Sequence, residues 1–154
     1  MKRTSIFLTS ILLALTLVAC GGNLDDFEPT ENEAGTVTVS ITGYAGQQVL
    51  PPTEVKIREG YTCFDVTNYL ARKHNISLVK EGSGRGVYIK GIDGLFAGDM
   101  GAKSGWLYRV NGSFSETGVS SGAFSLKDED KIEWLYTVDL GKTEGAGDLG
   151  NAED

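Results

Sequence analysis

Histidine is nearly missing from this chain: His74 stands alone among 154 residues. A Ser/His or Cys/His pair needs an imidazole beside its nucleophile, and a histidine-rich metal site needs several, so the scarcity removes both classes. Cysteine is almost as rare, with Cys20 and Cys63 alone. Cys63 falls in the first turn of a predicted helix, where a thiol can ionise easily, but His74 lies at the far end of that helix, about three turns away. Cys63 therefore reads as a small buried apolar residue, and a hydrolase of the usual nucleophilic kinds is not expected. Basic charge is also short. Fourteen Lys and Arg stand against 21 Asp and Glu, a net charge of −7, and no Lys/Arg cluster interrupts the acidity. Such a surface repels phosphate backbones and excludes nucleic acid as a partner. A phosphate loop is excluded as well, because Gly141-Lys142-Thr143 lacks the glycine five residues earlier, where Tyr136 stands.

The apolar run IFLTSILLALTLVA at residues 6–19 spans 14 residues, short of the roughly 20 needed to cross a bilayer as a helix. It follows Lys2 and Arg3 and reads as an export signal over residues 1–19. The run ends in Leu17-Val18-Ala19-Cys20 before Gly21-Gly22, which closely resembles the lipobox of bacterial lipoproteins. That resemblance implies a diacylglycerol on the Cys20 thiol and a chain tied to the extracytoplasmic face of a bacterial cell membrane; two acyl chains suit stable anchoring. Cys63 then has no partner for an intrachain disulfide, and the fold must stand on its core. Residues 20–35 are polar and acidic and read as a lipidated tether, and residues 143–154 as a disordered acidic tail. One domain remains, at residues 36–142.

Within it, TVTVSIT at residues 36–42 alternates with Val37, Val39 and Ile41 on one face, as a half-buried strand does. Residues 43–52, with Pro51-Pro52, read as a loop, and Val55 and Ile57 mark a second strand that pairs with the first. Thr62 opens a helix with Asp65 three residues on, a variant capping box, and Tyr61 and Val66 in place for a hydrophobic staple. A third strand is expected at residues 87–92. In SGWLYRVNG, Trp106, Tyr108 and Val110 share a face, and Asn111-Gly112 suits a tight turn with positive φ. The last strand places Ile132, Trp134, Tyr136 and Val138 together. The pattern is α+β: a β-grasp-like mixed sheet of about five strands with one helix packed on one face. Trp106, Tyr108, Trp134 and Tyr136 then face the helix as core.

The blocks VYIKGIDGL, SGWLYRVNG and TGVSSGAFSLKDEDKIEWLYTVDLGK resemble successive parts of the transcobalamin C-terminal-like domain, the family filed as domain of unknown function 4430. Where relatives commonly carry Asp-Gly-Asp before the last strand, this chain has Asp128-Glu129-Asp130, and glutamate resists positive φ more than glycine. In vertebrate cobalamin carriers the similar domain is the smaller half of a two-domain clamp that offers apolar contacts to one face of the corrin. The resemblance thus implies at most a half-site for a small ligand such as a corrinoid, so that capture would need a partner, such as a surface or transporter protein, or would have a much weaker affinity. Bacterial relatives are surface proteins, which keeps a protein-interaction or adhesion module open.

For the ligand contacts, the apolar residues at loop positions are the candidates: Tyr44, Phe96, Met100 and Phe114. The Gly-rich loop at residues 93–104 either folds Leu95, Phe96 and Met100 under the sheet or presents them as an apolar lip. A third reading, a divalent cation on Asp93, Asp99, Asp128, Glu129 and Asp130, finds no EF-hand spacing, and a solvated acidic turn accounts better for those residues.

Overall fold

The structure, a computed structural model, describes residues 34–114 and 119–145. The expected signal peptide, Cys20, nearly all of the tether and most of the acidic tail lie outside them. No described helix is long and apolar enough to cross a membrane.

Strand β1 (Gly35–Thr42) lies inside a four-stranded sheet of order β2-β1-β7-β6, formed with β2 (Gln48–Ile57), β6 (Gly105–Val110) and β7 (Lys131–Thr137). It pairs antiparallel with β2 and parallel with β7, and a parallel pair needs a long crossover. Helix α1 (Cys63–Lys73) lies in that crossover, which gives the β-grasp arrangement. The alternation read from the sequence holds: Val37, Val39 and Ile41 are buried beside Ile132, Trp134 and Tyr136. The loop expected at residues 43–52 is shorter than read, because β2 already begins at Gln48 and runs through both prolines. Strand β2 pairs only with β1, so its outer edge needs no N–H donor from proline. The register steps from Val39 opposite Thr53 to Ile41 opposite Leu50, so Ser40 alone faces Pro51 and Pro52 in a β-bulge.

Thr62 caps α1 as expected. Its Oγ1 accepts from Asp65 N at 3.2 Å, while its own N–H donates to Asp65 Oδ2 at 2.9 Å. Two further amides of the first turn, Cys63 N and Phe64 N, donate to the carbonyls of Phe124 and Ser121. The helix stops where Asn75 takes a left-handed φ of 56° and Ile76 N closes on Ala71 O at 2.8 Å. Cys63, Val66, Thr67 and Leu70 are fully buried against the sheet. There the Trp134 Nε1–H donates to Thr67 Oγ1 at 2.9 Å, and the Thr67 hydroxyl donates in turn to Cys63 O at 2.7 Å.

The single sheet of about five strands divides into two. A three-stranded sheet of order β3-β4-β5 stands apart, made of β3 (Leu78–Glu81), β4 (Tyr88–Ile92) and β5 (Leu95–Phe96). Its cause is local. Asp93 and Gly94 take φ values of 52° and 78°, and this tight turn folds Leu95 and Phe96 back onto Ile92 and Gly91. The ring of Phe96 covers Gly91 so closely that a Cβ there would lie 2.7 Å from Phe96 Cδ1.

Before β7, Glu129 does adopt the left-handed region, at φ 67°. The flanking carboxylates hold the turn. Asp128 Oδ1 accepts from Thr36 N at 2.7 Å, and Asp130 accepts from Lys127 N at 2.8 Å and from Asn111 Nδ2 at 2.9 Å. Asn111 and Gly112 have the positive φ values read from the sequence, 53° and 77°.

Trp134 packs under the helix at 3 % exposure and bonds Thr67. Trp134→Ala is expected to lose about 3–5 kcal/mol in denaturant unfolding, the usual cost of emptying a large aromatic site. A loss below about 1 kcal/mol would mean that the ring is not core.

Candidate functional site

At the end of the domain where β7 finishes, three of the four apolar loop residues come together. Tyr44 sits in the short turn Tyr44–Gly46 that follows β1, Phe96 ends β5, and Met100 belongs to the Gly-rich segment before β6. Their exposures are 45 %, 41 % and 45 %. Of the two arrangements open for this loop, the structure takes the lip for Phe96 and Met100, while Leu95 is half-buried against the core.

The centre of this end is the Tyr136 hydroxyl. It donates to Phe96 O at 2.7 Å and stands 3.0 Å from Ser104 Oγ, which also accepts from Met100 N at 3.1 Å. The Tyr136 ring meets Trp106 edge-on at 5.3 Å and Tyr44 edge-on at 6.5 Å. Trp106 Nε1 donates to Leu95 O at 2.8 Å. The loop also braces itself. Phe96 N donates to Asp99 Oδ2 at 2.8 Å, and Gly98 N and Ser104 O close at 3.0 Å. Apolar side chains thus stand outward on a backbone fixed from beneath by buried aromatics, a preorganised surface rather than a loose loop.

Phe114 does not join them. It is 6 % exposed, and it follows the Asn111-Gly112 turn at the opposite end of β6. The Arg109 guanidinium stands 5.8 Å from the centre of its ring. Arg109 is itself held by a two-point bond to Glu133, at 2.8 and 2.9 Å. Burial corrects the reading of Phe114 as a loop contact. The four aromatics read as core, Trp106, Tyr108, Trp134 and Tyr136, lie between 2 % and 7 % exposed. Ser104 is the member that sequence reasoning missed. A lone serine in a Gly-rich loop carries no signal until Tyr136 is placed beside it.

Among the described residues, Cys63 and His74 stand at opposite ends of α1 and do not meet. The Cys63 thiol is fully buried, and desolvation pushes its pKa far above the ordinary thiol value, against the lowering effect of the bond with Thr67. His74 caps the far end of α1. Nor does a cation site form: among the described residues no group of three His, Cys, Asp or Glu side chains is placed to hold a metal ion. Asp128 Oδ1 and both oxygens of Asp130 accept from backbone and amide donors, and Asp99 Oδ2 accepts from Phe96 N.

Comparison with known proteins gives the fold a wider setting. Haptocorrin in complex with Cbi is similar over 72 % of this chain, with a TM-score of 0.56 and 18 % identity, and the chain spans only 27 % of haptocorrin. A candidate metal-binding protein from Ruminococcus gnavus ATCC 29149 aligns over 67 % of this chain and 96 % of its own, with a TM-score of 0.47 and 15 % identity. No curated protein sequence matches the chain. The model of one family matches residues 60–138, from the glycine before the helix to the end of β7, and by that match the chain belongs to the family described as Domain of unknown function (DUF4430).

Proposed function

We propose that the protein is a non-enzymatic binding module, held by a diacylglycerol on Cys20 at the extracytoplasmic face of a bacterial cell membrane, that captures a broad, largely apolar small molecule of the corrinoid class for uptake. One observation carries the reading: Tyr44, Phe96 and Met100 are each more than two-fifths exposed, yet the buried Tyr136 pins the segment of Phe96 and Met100 through its hydroxyl and meets Tyr44 with its ring. A corrin has a wide apolar face edged with amides, and rings with a thioether can cover it without a charged partner. The fold shared with haptocorrin supports this choice of ligand. The match covers about a quarter of that protein, and in our reading the surface is one side of a site whose other side is supplied from outside the described residues, by a transporter or another surface protein. An open surface of this kind, acting alone, should bind at micromolar affinity or weaker, roughly −8 kcal/mol at best.

Calorimetric titration of the purified protein with cobalamin and cobinamide tests this, together with the double substitution Tyr44→Ala, Phe96→Ala. Binding that weakens at least about tenfold in the double variant is the expected result. Absence of heat and of any spectral shift at about millimolar corrinoid, where some 4 kcal/mol would still register, would remove the small-ligand reading and leave the lip as a protein-docking surface.

The anchor rests on Leu17-Val18-Ala19-Cys20 before two glycines. Labelled palmitate should enter the wild-type chain in its bacterial host and be lost from Cys20→Ser; incorporation that persists in the variant would refute lipidation at that residue.

A further inference from the structure

The division into two sheets leaves a space that the end surface does not use. Only Gly91 and Ile92 of β4 pair with β5, and the Tyr88–Ile89 end of β4 faces β6 across a slot of about 270 Å³. Val87 and Ile89 form one wall, and Trp106, Tyr108 and Trp134 the other. Ser121 closes it from the segment that docks on the helix N-terminus, where its carbonyl accepts from Phe64 N. Ser121 is 3 % exposed, and its Oγ has no hydrogen-bond partner among the described residues. A buried hydroxyl left without a partner is costly, and native structures seldom keep one without a use. Tyr88 and Val119, exposed by 51 % and 38 %, mark the mouth.

We propose that this slot is a second binding site, which takes a neutral aromatic ring system carrying one hydrogen-bonding heteroatom, with Ser121 Oγ as its polar contact. Three features select that chemistry. Among the described residues no charged side chain lines the slot, so an ionic ligand would shed its water and gain no counter-charge there. The volume exceeds the roughly 150 Å³ of an apolar cavity known to hold benzene, so one or two fused rings fit. The walls offer ring edges and faces already set in aromatic contact, with Tyr108 and Trp134 at 5.3 Å, and an inserted ring extends that stack. The slot contains none of Tyr44, Phe96 and Met100, though Trp106 in its wall also supports the Tyr136 ring beneath them, and it stands whether or not that surface binds a corrinoid.

Indole is the probe, with toluene as the ring lacking a heteroatom and benzoate as the charged ring. Titrations of the purified protein followed by amide and indole NMR shifts should show saturable indole binding, with shifts centred on Ser121, Trp106 and Trp134. Benzoate should bind at least about tenfold more weakly. Ser121→Ala removes the unpaired hydroxyl, so it should leave folding stability unchanged or raised, weaken indole by about five- to tenfold, and leave toluene within about twofold. The proposal is overturned if several-millimolar indole produces no saturable shift at those residues, if benzoate binds as well as indole, or if Ser121→Ala leaves the affinity for indole unchanged.

Discussion

The bond from Trp134 Nε1 to Thr67 Oγ1, 2.9 Å long in the middle of the core, couples the strand that closes the sheet to the helix laid across it. Both partners are buried, so either would be left unsatisfied if the helix slid or turned. The bond therefore fixes the rotation of α1 as well as its presence. The Thr67 hydroxyl passes the constraint on to Cys63 O, one turn toward the capped end, where Thr62 and Asp65 complete the attachment. Strand β7 can take this role because its parallel pairing with β1 sets it inside the sheet.

Two residues further along the same face, Tyr136 carries the constraint out to the surface. Its ring is buried among Trp106 and Tyr44, and its hydroxyl reaches the backbone of the Gly-rich loop. The exposed apolar side chains at that end inherit the rigidity of the core through one phenol. A ligand bound there, as proposed, would order little further chain, which would favour affinity on so open a surface.

Much of this could be read from residue order because the signals are local. The period-two alternation of β1, the cap at Thr62 and the Asn111-Gly112 turn each depend on neighbours in sequence, and each stands as read. What escaped depends on neighbours in space. Pro51 and Pro52 suggest a loop unless β2 is known to be an edge strand, and the separate sheet follows from a two-residue β5 too short to show a period. Phe114 does lie outside the strands, but a loop position says nothing of burial, and its ring is turned in. Glu129 keeps a left-handed φ that glycine would take more cheaply, since Asp128 and Asp130 hold the turn on both sides. At the candidate site, Tyr44, Phe96 and Met100 were legible as apolar residues outside the long strands, but the Ser104 and Tyr136 contact that holds the segment of Phe96 and Met100 spans 32 positions.

The link from core to surface is the central claim, and native-state hydrogen exchange in Tyr136→Phe tests it most directly. Loss of that hydroxyl should cost about 1–2 kcal/mol, and the amides of Gly98, Met100 and Ser104 should exchange markedly faster while those of Val39 and Trp134 keep their protection. Unchanged exchange at Gly98, Met100 and Ser104 would show that the lip is ordered without Tyr136, and that the core does not hold it.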